Sequence, residues 1–285
     1  MNGRGPAIWA HDRTSLQQAQ ALGSQVEEKV RAAFQAQYGE GSPEHLARWV
    51  GGLLAAYEEQ LESRPDKPAR SCHRGCDACC RIHATVSVPE LVLLVQAIRE
   101  QMSEPQQQVL RARVADRAQA IWGHSSARRM VARIPCGLLE DDGTCLAYEI
   151  RPGVCRSENS LEDPQRCGPP PQRHKTFWGS QFLVYNQAIL TIRQMLSEKG
   201  RDGEAIELTL GLHIALEEES AFARWAAGDK SVFAPAHIHN PIVQYAGHRS
   251  LPLIQRQEEC WREASSEQRT PGDVLGTDNE GEVRR

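Results

Sequence analysis

No apolar run in the chain exceeds Leu91–Val95, far short of the roughly 20 residues that a bilayer-spanning helix requires. The opening MNGRGPAIWAHDRTS lacks the apolar stretch of a secretory signal, so the expected location is cytoplasmic, with no membrane partner. An excess of one charge is also missing. A formal net charge of -4 over 285 residues gives a polyanion little to hold, and nucleic acid is disfavoured as a partner. The sequence has no fixed-period repeat. It has no glycine-rich phosphate loop after a strand, and no acid–base pair or nucleophile with its base that would specify a substrate. Whether the protein is an enzyme is therefore left open. Disulfides are not expected either: a chain of this length can bury its own core, and a reducing compartment keeps thiols reduced.

Nine cysteines are nevertheless present, and their placement is the informative feature. Around them the sequence reads as helix. Thr14 and Gln17 stand in capping-box spacing, and Leu22, Val26, Val30 and Phe34 recur at helical intervals, which predicts a helix over 14–37. Ser42 with Pro43 opens a second helix that carries Leu46, Val50, Leu53, Leu54 and Leu61 and stops before Pro65, suggesting a helical hairpin with the first. Ser87, Pro89 and Glu90 start a third helix to about Met102, and Ser103 with Pro105 a fourth to about Gly123. Residues 177–198 and 203–227 read as two long helices, the second stopped by Gly228. The stretch from residue 264 is polar and aperiodic, which predicts a disordered tail. The expected fold class is mainly α, with a loop-rich cysteine site inserted between helices. The expected organisation is an N-terminal helical hairpin (1–66), a cysteine-cluster region (67–170), C-terminal helices packing on the N-terminal ones (171–263) and the tail (264–285).

Eight of the cysteines fall between positions 72 and 167: Cys72, Cys76, Cys79 and Cys80, then Cys136 and Cys145, then Cys155 and Cys167. Separations of two and three residues let thiolates on one turn reach a common ion at about 2.3 Å, the geometry of metal knuckles. If residues 72–80 were helical, their cysteines would share one face and could be buried small hydrophobes. Four cysteines in nine positions argue against that reading. Adjacent Cys79 and Cys80 diverge, so one ion would not take both. The number of thiols fits two four-cysteine zinc sites, or one iron–sulfur cubane with further cysteines to spare. Asp142-Gly143 is a turn dipeptide that should return Cys145 to the neighbourhood of Cys136.

Several neighbours of the cysteines are weighed with them. Arg151 and Arg156 flank Cys155 and could hydrogen-bond cluster sulfurs, or else sit in surface pairs. Glu90 could orient a ligand, though its capping position explains it more simply. His73 and His83 could each replace a thiolate in a mixed site, and His237-x-His239 with His248 and Cys260 is a weaker second cluster. For each lone histidine, an ordinary surface or satisfied residue is the simpler explanation.

The C-x3-C-x2-C-C segment, the C-x8-C loop and the run Tyr148-Glu149-Ile150-Arg151-Pro152-Gly153-Val154-Cys155-Arg156 together resemble the YkgJ-type cysteine-cluster family, over about residues 70–168. That resemblance implies zinc or iron chelation by Cys72, Cys76, Cys79, Cys80, Cys136, Cys145 and Cys155, with Cys167 joining them. It implies no reaction. A similar cluster occurs in flagellin lysine methylases, but the nucleotide loop that would extend the analogy is missing here. The functional expectation is a protein that chelates iron, as an iron–sulfur cluster or another iron centre, or zinc through its clustered thiolates, serving redox chemistry or the modification of a protein partner. The alternative is a zinc-stapled module for protein contact. A third, weaker reading is a thiol–disulfide switch built on the vicinal pair.

Overall fold

The N-cap signals of the sequence become real caps. In α2 (Pro43–Glu62) the Ser42 hydroxyl accepts from the backbone of His45 at 3.3 Å. In α3 (Val88–Gln101), Ser87 and Glu90 form a complete capping box, as do Ser103 and Gln106 in α4 (Glu104–Ile121). The structure, a computed structural model, describes residues 10–11, 16–38, 42–63, 65, 69–124, 128–129, 132–157, 159–161, 163–167, 177–178 and 180–237. These fall within the unit Met1–His239, and the rest of the chain, Asn240–Arg285, lies outside the described residues with the expected tail.

The first helix, α1 (Leu16–Tyr38), buries Val26, Val30 and Phe34, one residue per turn. This stripe lies along α6 (Ser180–Glu198), whose Ala188, Ile192, Met195 and Leu196 are buried. Arg31 ties the two helices at their rim through Glu198 at 3.0 Å. α2 packs on α3 and also on α6, and it meets α1 through the rings of Phe34 and Trp49, 6.0 Å apart. α3 is buried nearly all round, including Leu91, Val92, Leu94, Val95 and Ile98, which makes it the central helix of the core. α4 offers the stripe Leu110, Val114, Ala118 and Ile121 to α7 (Leu208–Glu217). The chain is mainly helical, with cysteine-bearing loops between the helices.

The sequence reading of 203–227 as one helix is corrected. Residues 206–207 form strand β4, antiparallel to β2 (Thr85–Val86), and helix follows only as α7 and then α8 (Ala221–Ala226). Glu207 caps α7 by accepting from Leu210 at 2.9 Å. The break between α7 and α8 falls at Glu217, Glu218 and Glu219, three carboxylates that oppose the dipole at a helix C-terminus. Glu218 turns extended and accepts from Ser220 and Arg224. Strand β1 (Ala10–His11) pairs in parallel with β3 (Phe177–Trp178), so 177–178 precede the helix that was expected to include them. Among the described residues, no helix is long and apolar enough to cross a membrane.

Candidate metal centre

Three loops between the helices carry the cysteines. The first carries Cys72–Cys80 into the start of α3. It is not a helix through Cys72 and Cys76; Gly75 turns the chain with φ +90, and a short 3-10 turn begins only at Ala78. The second loop reverses as the Asp142-Gly143 pair predicts. Glu140 N donates to Thr144 O at 2.8 Å, Leu139 bridges Cys145, and Asp142 Oδ1 caps Thr144 N at 2.8 Å. The third carries Cys155 on the single turn α5 (Gly153–Ser157).

Backbone hydrogen bonds stitch the loops together. Cys136 N donates to Cys80 O at 2.7 Å, Ser71 N donates to Ser160 O at 2.9 Å, and Ser160 N donates to Cys72 Sγ at 3.1 Å. The second loop is pinned to the frame by Gly137 N on Thr209 Oγ1 at 3.2 Å. Arg117 Nη1 adds bonds to the carbonyls of Cys136 and Leu139, each at 2.5 Å.

As a result Cys76, Cys79, Cys80, Cys136, Cys145 and Cys155 line one cavity of about 70 Å³, together with Leu138, Val154, His83 and Arg151. Cys72 and Cys167 are not among its lining residues. Cys167 lies close enough to Cys72, Cys76 and Cys79 for their charges to interact, and Cys72 close enough to Cys76, and the turn Pro164–Cys167 packs on the turn Ala78–Arg81. Among the described residues, no three Cys, His, Asp or Glu side chains are grouped tightly enough to hold an ion as they stand. The sulfurs ring a space rather than meeting at a point. Cys72, Cys76, Cys79, Cys80, Cys136, Cys145, Cys155 and Cys167 stand as thiols.

Burial pushes the Cys136 thiol up to about 12 and Cys167 to about 11, and raises Cys76, Cys145 and Cys155 as well. Arg151 opposes this at Cys145 and Cys155. A soft cation would supply the missing counter-charge and hold the thiols deprotonated. The donor set therefore fits a thiolate-bound metal.

The two candidate arginines separate. Arg151 lines the cavity, its guanidinium 3.9 Å from the Tyr148 ring centroid, and Arg74 stacks on the same ring at 4.6 Å. Arg156 does not line it. Its guanidinium donates to Arg151 O at 2.6 Å, to Glu58 at 2.7 Å on α2 and to Glu149 O, so it fastens the third loop to the frame.

Glu90 caps α3 as expected and also does what its cap position does not reveal. It is buried, and its Oε1 accepts from Gly153 N at 3.0 Å and Tyr185 Oη at 2.7 Å, holding the Arg-Pro-Gly-Val-Cys segment from below. A Cβ on Gly153 would lie 1.7 Å from the Tyr185 ring, so this position of the motif must be glycine. Nothing in the sequence links Tyr185 to the site; it is 95 residues from Glu90. Arg133 also lacked a signal. Its backbone is left-handed (φ 54), a strained conformation for a side chain of this size, and its guanidinium donates to Ala78 O at 3.1 Å in the first cysteine loop.

Among the histidines, His73 is exposed, with Nδ1 on Arg74 O at 2.7 Å. His83 lines the cavity, and its Nδ1 is buried without a hydrogen-bond partner. Burial first, then the Arg129 charge, lowers its pKa to about 4 and keeps the ring neutral. His237 contacts Asp202 at 2.6 Å. His239, His248 and Cys260 lie outside the described residues.

With this geometry in hand, comparison of the sequence with known families is specific. Residues 71–176 match the CxxCxxCC family, described as "Putative zinc- or iron-chelating domain". The match bears out the cysteine-cluster resemblance and supports metal chelation without choosing the metal. This chain places three residues between its first two cysteines where the family name spells two, and the positive-φ Gly75 lies in that longer loop. None of the curated proteins or solved structures compared with the chain matches it.

Proposed function

We propose that the protein holds iron, as an iron–sulfur cluster, in the cavity between the three loops, with Cys72, Cys76, Cys79, Cys80, Cys136, Cys145, Cys155 and Cys167 as the thiolate pool. The carrying observation is that six cysteines from three separate loops line a single cavity. Adjacent side chains diverge too far to meet at one ion, yet Cys79 and Cys80 both line the same cavity, which suits a centre of several metal atoms better than a single tetrahedral zinc. The cavity, about 70 Å³, has room for on the order of five water-sized bodies, more than one bare ion requires. Its lining is otherwise mostly apolar, with Ile82, Ala84, Leu138, Ala147, Val154 and Leu208, the kind of apolar shell that tunes an iron–sulfur potential.

When bound, such a centre supplies electron transfer. The chain's own residues position the thiolates, and Arg151 offsets their charge. A cytoplasmic setting and a protein partner that exchanges electrons or is modified complete the proposal. The test is purification without oxygen followed by iron, zinc and acid-labile sulfide analysis and absorption near 400 nm. Brown protein with stoichiometric iron and sulfide supports the reading. Colourless protein with stoichiometric zinc overturns it in favour of the zinc-stapled interaction module.

A further inference from the structure

Two side chains that line the cavity keep a buried nitrogen without a hydrogen-bond partner, Arg151 Nε and His83 Nδ1; of the two, only the imidazole can offer a lone pair to a metal. His83 follows Cys80 by two intervening residues, the spacing of a metal knuckle. Its backbone is fixed on both sides. Ile82 N closes the cysteine turn on Cys79 O, and Ala84 O accepts from Leu208 N at 2.9 Å. These anchors hold the His83 backbone at the cavity wall. Its buried Nδ1 has no hydrogen-bond partner. A buried polar atom in that state is unfavourable unless something outside the protein pairs with it. His45, His124 and His213 also keep a buried ring nitrogen unpaired, but of these four only His83 lines the cavity that six cysteines share.

We propose that His83 is a nitrogen ligand of the metal centre, making it a mixed thiolate–imidazole site. This rests on the reading of the cavity as a metal centre. The Cys76-x2-Cys79-Cys80-x2-His83 run then supplies both walls of the first loop. A neutral imidazole in place of one thiolate lowers the negative charge of the centre and, for an iron–sulfur centre, raises its reduction potential, as histidine ligation does in Rieske centres.

The test uses the full-length protein purified without oxygen, as wild type, His83→Ala and His83→Cys. Iron protein is reduced and read by pulsed electron paramagnetic resonance, and zinc protein by X-ray absorption. The expected result is directly bonded nitrogen in the wild type, seen as nitrogen hyperfine coupling or as a nitrogen shell at about 2.0–2.1 Å beside sulfur. That signal should vanish in His83→Cys, which keeps its metal with an all-sulfur shell. Wild-type protein with full metal and sulfur ligands alone overturns the proposal while leaving the metal centre standing, and so does nitrogen that persists in His83→Ala. Wild-type protein without metal overturns both. If His83→Ala fails to fold, the wild-type spectrum and His83→Cys decide.

Discussion

Replacing Gly153 by alanine tests how the frame holds the third cysteine loop. The new Cβ would lie 1.7 Å from Tyr185 Cε1, 2.4 Å from Cζ and 2.7 Å from Cδ1. Tyr185 has little room to retreat: it is 5% exposed, its ring sits 5.7 Å from that of Tyr57, and its hydroxyl is bonded to Glu90. Forcing the ring aside costs about 1–3 kcal/mol as overpacking. Loss of its bond to the buried carboxylate adds about 1–3 kcal/mol. The expected destabilisation is therefore about 2–6 kcal/mol, read as a lower urea midpoint with an unchanged slope. Because Cys155 lies two residues beyond, metal content should fall as well. In a Tyr185→Leu background the clash is gone, and Gly153→Ala should cost less by about 1–3 kcal/mol, the coupling of a directly contacting pair. Equal costs in both backgrounds, or a Gly153→Ala protein as stable as wild type, would refute the reasoning.

Three further outcomes follow from the same geometry. Glu90→Ala leaves Ser87 N, Gly153 N and Tyr185 Oη without their acceptor, and should lower stability by at least about 3 kcal/mol in urea denaturation; a loss under 1 kcal/mol would contradict the role given to this carboxylate. Arg74→Ala removes a pair with Glu149 whose side chains are 53% and 80% exposed and a stack on the Tyr148 ring at 4.6 Å, so metal content should barely change and the thermal midpoint fall little, the cost being about 0.5–2 kcal/mol. In metal-free protein, burial raises the Cys136 thiol from 9.0 to about 12; its unfolded form ionises first, so stability is complete below about pH 9 and declines as pH rises toward 12. Thermal midpoints should fall over that range and fall less in Cys136→Ala, and an unchanged dependence in that variant would count against a buried thiol.

The helices were legible where local chemistry decides them. Ser42, Ser87 and Ser103 mark starts because a hydroxyl at that position satisfies an otherwise orphan backbone donor, and the structure begins α2, α3 and α4 one residue later. Periodicity could not foresee the extended segment before α7, because Ile206 and Glu207 are held by a pairing with Thr85 and Val86 that is over a hundred residues distant. The cysteine spacing revealed which residues share chemistry, and the turn at Asp142-Gly143 was readable from its dipeptide. The partition was not readable: six cysteines line the cavity while Cys72 sits beside it under a bond from Ser160. Glu90 shows the limit most plainly. Its spacing from Ser87 explains one carboxylate oxygen, and only the tertiary fold brings Gly153 and Tyr185 to the other. Arg151 and Arg156 look equivalent on either side of Cys155, yet one faces the cavity and the other pins the loop to α2.

Metal content per chain in three single variants, one from each loop, tests the account most directly: Cys79→Ala, Cys145→Ala and Cys155→Ala, each purified without oxygen beside the wild type. Convergence on one centre predicts that every variant loses most of its bound metal and, for an iron–sulfur centre, its absorption near 400 nm. Retention of wild-type metal by the Cys145 and Cys155 variants, with loss confined to Cys79→Ala, would show that the first loop binds alone and would contradict a centre shared by all three.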